Sequence, residues 1–228
     1  MLKIKLIGLK ERENKMKKII SLDMGDTLIA FTPRRYEIIY EILKDHGYTF
    51  SLERVYKKYV KVMAKHYFPD SHGVNPFDIK DFLYELGLNP ADETLIKEIN
   101  KVGRGEEVDL FDDAVEFLEY AKKEGYSLVL VSNATPRGKE VFEKLGLRKY
   151  FDLTVFSFEV GLVKPNPKIF SLVTQKLGKP LLHVGDIYEM DVVGARNAGI
   201  NAVLLNRFGF YKEGIKTLRD LEELEIQK

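Results

Sequence analysis

The sequence predicts an α/β fold, a doubly wound parallel sheet with a helical segment inserted after its first strand. Three patterns predict it. Short apolar runs alternate with segments of helical apolar spacing across the second half of the chain. A long stretch with helical spacing alone separates the first apolar run from the others. Polar residues follow several of these runs, as is typical at the carboxyl ends of parallel strands.

The composition indicates a well-packed chain whose partner is a small molecule. Its 228 residues are 45% hydrophobic and 31% charged with a formal net charge of +1, which argues against disorder, nucleic-acid binding and adhesion to anionic membranes. With no apolar run of about eighteen residues and no signal-peptide pattern, we expect a cytoplasmic protein, either a monomer or a homodimer. The absence of cysteine excludes disulfides, thiolate nucleophiles and cysteine-ligated zinc.

Residues 1–15 are predicted to be an N-terminal extension. They combine short apolar stretches with a charged run, which fits an edge strand, a flexible tail or translation from an upstream start codon. The core is predicted to comprise residues 16–32 and 106–228. Its first strand is the apolar run around Ile19, Ile20 and Leu22, which opens into a polar turn.

Residues 33–105 are predicted to form the inserted helical segment, because no strand pattern interrupts their helical spacing. Ser51 is placed at the start of the second helix, and the pairs Asn75-Pro76 and Asn89-Pro90 at the starts of the third and fourth. Hinges are expected where the chain enters and leaves this segment, at residues 31–33 and 103–105.

Beyond residue 105 the pattern alternates between helix and strand. The predicted helices cover residues 114–124, 137–145, 167–177 and 190–198. The predicted strands cover residues 127–131, 153–156, 181–184 and 202–205. Strands joined by helices in this way run parallel, with helices on both faces of the sheet.

Four polar signatures follow one another at the predicted strand ends or in adjoining loops. They are Asp23-Met24-Gly25-Asp26-Thr27-Leu28, Val131-Ser132-Asn133, Gly161-Leu162-Val163-Lys164-Pro165, and Gly185-Asp186 with Asp191. Each is weak by itself, but together and in this order they resemble the four motifs of the haloacid dehalogenase (HAD) superfamily. The resemblance covers about residues 16–205 and includes a helical cap domain between the first two motifs. It implies a Rossmann-like core and a hydrolase with an aspartate nucleophile.

Asp23 is the predicted nucleophile. Its carboxylate can attack phosphorus and form an aspartyl-phosphate that water later hydrolyses, so that two easier steps replace one difficult step. Asp186 offers a second hard oxygen donor for Mg²⁺, the predicted cofactor, beside Asp23. The resemblance adds the backbone carbonyl of Gly25 as a further metal ligand.

Ser132, Asn133 and Lys164 are predicted to contact the transferring phosphoryl group. The hydroxyl of Ser132 can donate a hydrogen bond to it, reinforced by neighbouring backbone N–H groups. Lys164 supplies a positive charge against the phosphoryl oxygens and Asp23. A Ser-Asn pair after a strand is also a common helix start, and only the other motifs favour the catalytic interpretation.

Two further motif residues are predicted to have supporting roles. By the resemblance, Asp191 orients Lys164 or the waters around the metal. As an acid near a helix N-terminus it also has a purely structural explanation. Thr27 is expected to hydrogen-bond within the turn of the first motif and so shape it.

Gly25 departs from the pattern of the family. Its phosphatases normally carry at this position a second aspartate, which protonates the leaving oxygen and then activates water. Asp26 is the nearest substitute, but a shift of one residue moves a side chain to a different face. Loss of a general acid costs about 10²- to 10⁴-fold in rate, so we expect alkyl phosphates to suffer more than aryl or acyl phosphates.

Three functions stay open at this point. The first is a phosphatase acting on a small phosphorylated metabolite. The second is a 2-haloacid dehalogenase, which uses the same nucleophile without a metal, although family members of that type commonly carry an aromatic residue where Gly25 stands. The third is a binding or regulatory protein that kept the fold and the metal site but lost efficient turnover.

The inserted segment contains basic and aromatic residues that could face a substrate. They are Arg34, Arg35, His46, Lys65, His66, Tyr67 and His72. Such side chains on a cap helix are usually solvated or packed, so none is assigned as a substrate ligand from the sequence.

Overall fold

The protein is described by a computed structural model that covers residues 18–69, 77–90, 92–103, 105 and 107–223. The predicted extension 1–15, His72 and the Asn75-Pro76 pair lie outside these residues. Within the described ranges, no helix has the length and apolar character that crossing a membrane requires.

The strands of the described residues form two sheets. They are β1 (Ile19–Leu22), β2 (Ile29–Thr32), β3 (Glu107–Leu110), β4 (Ser127–Ser132), β5 (Leu153–Phe156), β6 (Leu182–Gly185) and β7 (Ala202–Leu204). The main sheet has the order β5-β4-β1-β6-β7, and all its pairs are parallel. The chain therefore winds outward in both directions from the central strand β1, and the predicted fold class is confirmed.

The helices alternate with these strands as the sequence predicts. They are α1 (Arg35–Asp45), α2 (Leu52–Lys65), α3 (Ile79–Leu86), α4 (Glu93–Asn100), α5 (Asp112–Lys123), α6 (Pro136–Lys144), α7 (Ser157–Val160), α8 (Pro167–Leu177), α9 (Val193–Asn197) and α10 (Asp220–Glu223). A 3₁₀ turn covers Leu147–Tyr150. The predicted helix 190–198 is in fact a π-helical turn, Tyr188–Val192, that continues into α9.

One of the helix starts predicted in the insert is confirmed and one is wrong. Ser51 does cap α2, because its side chain accepts a hydrogen bond from the N–H of Arg54. However, α4 is capped by Asp92 rather than by Asn89. Helix α3 is capped by Asp78, and the start predicted at Asn75-Pro76 lies outside the described residues. In each case a carboxylate close to the first turn accepts one of the helix's free N–H groups, which a cap must do.

A short antiparallel pair at the base of the insert was not predicted. Strands β2 and β3 pair from Ile29 opposite Leu110 to Thr32 opposite Glu107. Both strands have four residues, too few for a clear alternating pattern, and they pair only once the insert brings them together. The two segments that connect the insert to the core also lie in close contact. A Cβ on Gly105 would collide with the main chain of Thr32 and Pro33.

The described core consists of three apolar clusters. Successive residues of β1 point to opposite faces of the sheet, so Ile20 packs in one cluster with Phe117 while Ile19 packs in another with Phe170. The third cluster lies among helices α1 to α4, with Phe82 fully buried at its centre. The insert therefore buries an apolar core of its own.

Candidate active site

The carboxyl edge of the parallel sheet gathers the predicted site residues. Asp23 directly follows β1, Ser132 ends β4, and Asp186 directly follows β6. Because β4 and β6 flank β1 in parallel, these three side chains meet at one edge. Lys164 and Asp191 lie on loops and turns above that edge, and the five residues line one cavity. All five are buried.

Lys164 is the centre of the polar network. Its Nζ donates to Oδ1 of Asp23 at 2.5 Å and to Oδ1 of Asp191 at 2.6 Å. Its side chain is only 2% exposed. A buried ammonium is tolerated when carboxylates pair with it and accept its hydrogens, so each of these groups depends on the others.

Asn133 holds the main chain of Lys164 in place. Its Oδ1 accepts from the backbone N–H of Lys164 at 2.8 Å, and its Nδ2 donates to the carbonyl of the same residue at 2.9 Å. The side-chain amide, which the sequence suggested for phosphate contact, is therefore engaged in positioning Lys164.

The pKa values of these groups follow from burial and from one another. Burial raises the pKa of Asp23, and the Lys164 charge only partly opposes this. Burial also raises the pKa of Asp186 well above its usual range, with repulsion from Asp26, Asp23 and Asp191 adding to it. Burial opposes ionisation of Asp191 too, but Lys164 and His183 hold its pKa well below the ordinary value.

The carboxylates present fit a divalent cation. Asp23, Asp186 and Asp191 each offer an oxygen within 4.8 Å of the others. Oxygen-only donor sets suit Mg²⁺ rather than softer metals. The raised pKa values of Asp23 and Asp186 mark negative charge that Lys164 does not balance, and a cation would balance it. Asp191 belongs to this group by geometry, whereas the sequence assigned only Asp23, Gly25 and Asp186.

The turn after β1 is held by its main chain. The N–H groups of Leu28 and Ile29 both donate to the carbonyl of Met24, and the N–H of Asp26 donates to the carbonyl of Ile29. The hydrogen bond predicted for the Thr27 hydroxyl is wrong, since that buried hydroxyl has no partner in the structure as described. The main chain already supplies the bonds that shape the turn.

Residues 17–199 match the family model of the haloacid dehalogenase-like hydrolases. The chain belongs to this family. The resemblance carried by the four motifs is thereby confirmed, and the protein is a hydrolase of this HAD family.

Related HAD proteins are named as phosphatases. The glyceraldehyde 3-phosphate phosphatase of Methanopyrus kandleri is 26% identical over 93% of this chain and 94% of its own length. The pyrimidine 5'-nucleotidase YjjG of Escherichia coli is 45% identical, but over only 36% of this chain and 40% of its length. The glyceraldehyde 3-phosphate phosphatase of Methanothermobacter thermautotrophicus is 38% identical over 42% and 44% respectively. The last two matches span less than half of each relative.

Solved HAD structures share the fold of this chain. An HAD phosphatase from Thermococcus onnurineus superposes with a TM-score of 0.56 at 23% identity, over 91% of this chain and 97% of that one. A 2-haloacid dehalogenase from Pseudomonas syringae superposes with a TM-score of 0.55 at 22% identity, over 92% and 98%. Phosphatase and dehalogenase folds fit equally well, so the fold does not distinguish the two reactions.

Two participants in the HAD site were missed by sequence reasoning. His183, on β6, is fully buried between Ser21, 2.9 Å from its Nδ1, and Asp191, 3.3 Å from its Nε2. The alternation of β6 puts this side chain inside, but a lone histidine in an apolar strand gave no other signal. Tyr36, whose buried hydroxyl lacks a hydrogen-bond partner among the described residues, lines the cavity.

The basic residues of the insert fall into two groups. His46 pairs with Glu98, and both Lys65 and His66 pair with Asp81, all on the insert itself. Tyr67 is 48% exposed. Of the candidates that the structure describes, Arg34 and Arg35 alone line the cavity.

Proposed function

We propose that this HAD hydrolase is a Mg²⁺-dependent phosphatase that acts on a small phosphorylated molecule through an aspartyl-phosphate on Asp23. The observation that carries the proposal is the 2.5 Å contact between Lys164 Nζ and one oxygen of the buried Asp23 carboxylate. Lys164 fixes one carboxylate oxygen and can attract phosphoryl oxygens, which leaves the second oxygen of Asp23 to attack phosphorus.

In the first step an oxygen of Asp23 forms a bond to phosphorus, and the bond from phosphorus to the leaving oxygen breaks. No side chain at position 25 can protonate that oxygen, so water supplies its proton. In the second step water attacks the aspartyl-phosphate, the bond from phosphorus to Asp23 breaks, and phosphate leaves. Ser132 would donate a hydrogen bond to the phosphoryl group in both steps.

The metal would be held by Asp23, Asp186 and the carbonyl of Gly25, with Asp191 near enough to bind it directly or through water. When bound, Mg²⁺ would reduce the repulsion between the anionic nucleophile and the anionic substrate. Asn133 and Asp191 keep Lys164 in position from its main-chain and side-chain ends.

Residues 33–105 would act as a cap domain over this site. The insert has its own apolar core, and the two places where the chain crosses into it lie side by side at Thr32 and Gly105. Movement about these crossings would admit the substrate and then exclude water.

The proposal is tested by phosphate release from p-nitrophenyl phosphate and acetyl phosphate, with Mg²⁺ or with EDTA. We expect hydrolysis that requires the metal and disappears in Asp23→Asn. Asp45→Asn, which alters an exposed aspartate of α1, is the matched control and should keep full activity.

Two outcomes would assign a different function. Halide release from 2-chloropropionate without a metal, in the absence of phosphatase activity, would identify a dehalogenase. No turnover of any of the three compounds by a protein that Mg²⁺ still stabilises would identify a binding or regulatory protein. Phosphate release that survives in Asp23→Asn would contradict the proposed nucleophile.

A further inference from the structure

Two neighbouring arginines at the start of α1 have different surroundings. Arg34 is satisfied: its Nε donates to Asp26 at 2.8 Å, it pairs with Glu37, and its guanidinium lies 4.1 Å from the ring centre of Phe208. Arg35 forms no ion pair and no hydrogen bond with any other residue that the structure describes. Its buried Nε is a donor without an acceptor.

The Arg35 side chain is nevertheless held in place. Its guanidinium lies 5.3 Å from the ring centre of Phe77 and 5.9 Å from that of Phe68, and these rings orient it by cation–π contact. It lines the same cavity as Asp23 and Lys164. An oriented cation with an unmet donor is a site for an anion, because a buried donor without a partner is costly.

Tyr36, the next residue, also has a buried hydrogen-bond donor without a partner in the part of the chain that the structure describes. It is 4% exposed, lines the cavity, and its buried hydroxyl has no partner among the described residues. Burial and the nearby carboxylates Asp26 and Asp186 raise its pKa, so this hydroxyl stays protonated and can donate a hydrogen bond. Two adjacent residues that line one cavity thus each have a buried donor without a partner among the described residues.

The volume of the cavity indicates the size of the substrate that fits beside Arg35 and Tyr36. It measures about 140 Å³ between the described residues of the insert and the core. One water-sized group needs about 10–15 Å³ on this measure, so the cavity holds on the order of ten non-hydrogen atoms. A phosphoryl ester group takes up about half of that number. The remainder accommodates a carboxylate on a short carbon chain.

We propose that the substrate is a small phosphomonoester with a carboxylate on its leaving group, and that Arg35 binds this carboxylate while Tyr36 donates a hydrogen bond to the same substrate. The inference rests on the phosphatase function proposed above. It assigns a role in substrate specificity to Arg35, a residue outside the four HAD motifs. Arg34, by contrast, is occupied by Asp26 and holds the first turn of α1 against the core.

The test compares 2-phosphoglycolate with 2-hydroxyethyl phosphate, in which a neutral CH₂OH group replaces the carboxylate. The quantity of interest is the ratio of their kcat/KM values in the presence of Mg²⁺. We expect Arg35→Gln to lower this ratio by about 10- to 100-fold, as the loss of one charge-assisted contact implies. Arg219→Gln is the matched control, because Arg219 pairs with Glu116 on an exposed surface. It should leave the ratio unchanged.

A second substitution guards against misfolding. If Arg35→Gln does not fold, Arg35→Lys keeps a charge but loses the planar fork, and should still lower the ratio about 3- to 10-fold. Tyr36→Phe should lower kcat/KM for 2-phosphoglycolate by about 3- to 10-fold, whereas Tyr84→Phe, at a tyrosine that is 62% exposed, should not. An unchanged value in Tyr36→Phe would remove Tyr36 from the site.

Failure of the subsite and failure of the phosphatase function give different results. Hydrolysis of both compounds with a ratio that Arg35→Gln leaves unaltered overturns the subsite and keeps the phosphatase. If the wild type hydrolyses neither compound, p-nitrophenyl phosphate decides whether the phosphatase proposal fails, and calorimetric binding of 2-phosphoglycolate to Asp23→Asn decides the subsite. Binding that weakens at least about 10-fold in the added Arg35→Gln variant supports the subsite, and binding that Arg35 does not affect overturns it.

Discussion

Arg34 Nε lies 2.8 Å from Oδ1 of Asp26, which joins the first turn of α1 to the turn that follows Asp23. Asp26 adopts a left-handed backbone conformation with φ of 50°, which aspartate tolerates better than most residues. Burial raises the pKa of its carboxyl to about 6 although Arg34 opposes the shift. The residue considered as a replacement for the missing acid therefore already serves as a link between insert and core.

Replacing Gly25 by aspartate should restore the missing proton donor. A Cβ at this position meets no atom within 4 Å, so the first atom of a new side chain fits there without a clash. We expect kcat for 2-hydroxyethyl phosphate to rise by about 10²- to 10⁴-fold and that for p-nitrophenyl phosphate to rise less, because its leaving group needs no proton. Gly25→Ala is the control. An equal rise in Gly25→Ala would show that a carboxyl at position 25 is not the cause.

Removing the Lys164 charge should destabilise the metal-free protein. Lys164→Met leaves the carboxylates of Asp23 and Asp191 buried without their cation, which costs about 3–5 kcal/mol in free energy of unfolding. The control Lys139→Met removes a partly exposed pair with Glu159, and its cost should be far smaller. Urea unfolding in EDTA measures both, and similar losses would refute the central role of Lys164.

Stability should depend on pH and on Mg²⁺ together. An acid with a higher pKa in the folded state binds more protons when folded, so its contribution to stability falls as pH rises through that interval. For Asp26 the interval runs from 3.8 to about 6, and Asp23 and Asp186 shift in the same direction. The metal-free protein should therefore lose stability over this range.

Mg²⁺ should reverse that loss where the carboxyls are ionised. We expect a larger rise in Tm with Mg²⁺ at pH 7.5 than at pH 5, because a bound ligand stabilises the folded state in proportion to its occupancy. Asp186→Asn should remove most of the rise, whereas Asp45→Asn should not. A rise that is equal at both pH values would mean that these buried acids do not hold the metal.

The turn after Asp23 should also depend on a residue far along the chain. Arg207 donates to both carboxylate oxygens of Asp113 and to the carbonyl of Thr27, and its guanidinium lies 4.0 Å from the ring centre of Phe111. Because this pair is buried, Arg207→Gln should cost about 3 kcal/mol in urea unfolding. The exposed pair removed by Arg219→Gln should contribute far less. Equal costs would show that the Arg207 pair behaves as a surface contact.

The fold class and the chemistry-bearing residues were available from the sequence because both depend on short-range patterns. The apolar run ending at Leu22 identifies a buried strand, and the polar residues after it identify the edge where parallel strands present side chains. The order of the four motifs at the strand ends, and their resemblance to the HAD motifs, then indicated which side chains meet. Helix starts were less predictable, because Asn89-Pro90 and Asp92 both suit a helix start and only packing selects Asp92.

Only the tertiary structure decided which partners each side chain has. Ionic and hydrogen-bonding contacts join residues far apart in the chain, such as Ser21 with His183 or Arg207 with Thr27, and the periodicity of the sequence does not reveal them. The same holds for missing contacts: Arg34 and Arg35 are adjacent and chemically identical, yet among the described residues only Arg34 has an acid within reach. A local sequence pattern specifies which face of a helix or strand a residue occupies. Whether its hydrogen-bond donors have partners depends on which acceptors the folded chain brings near them.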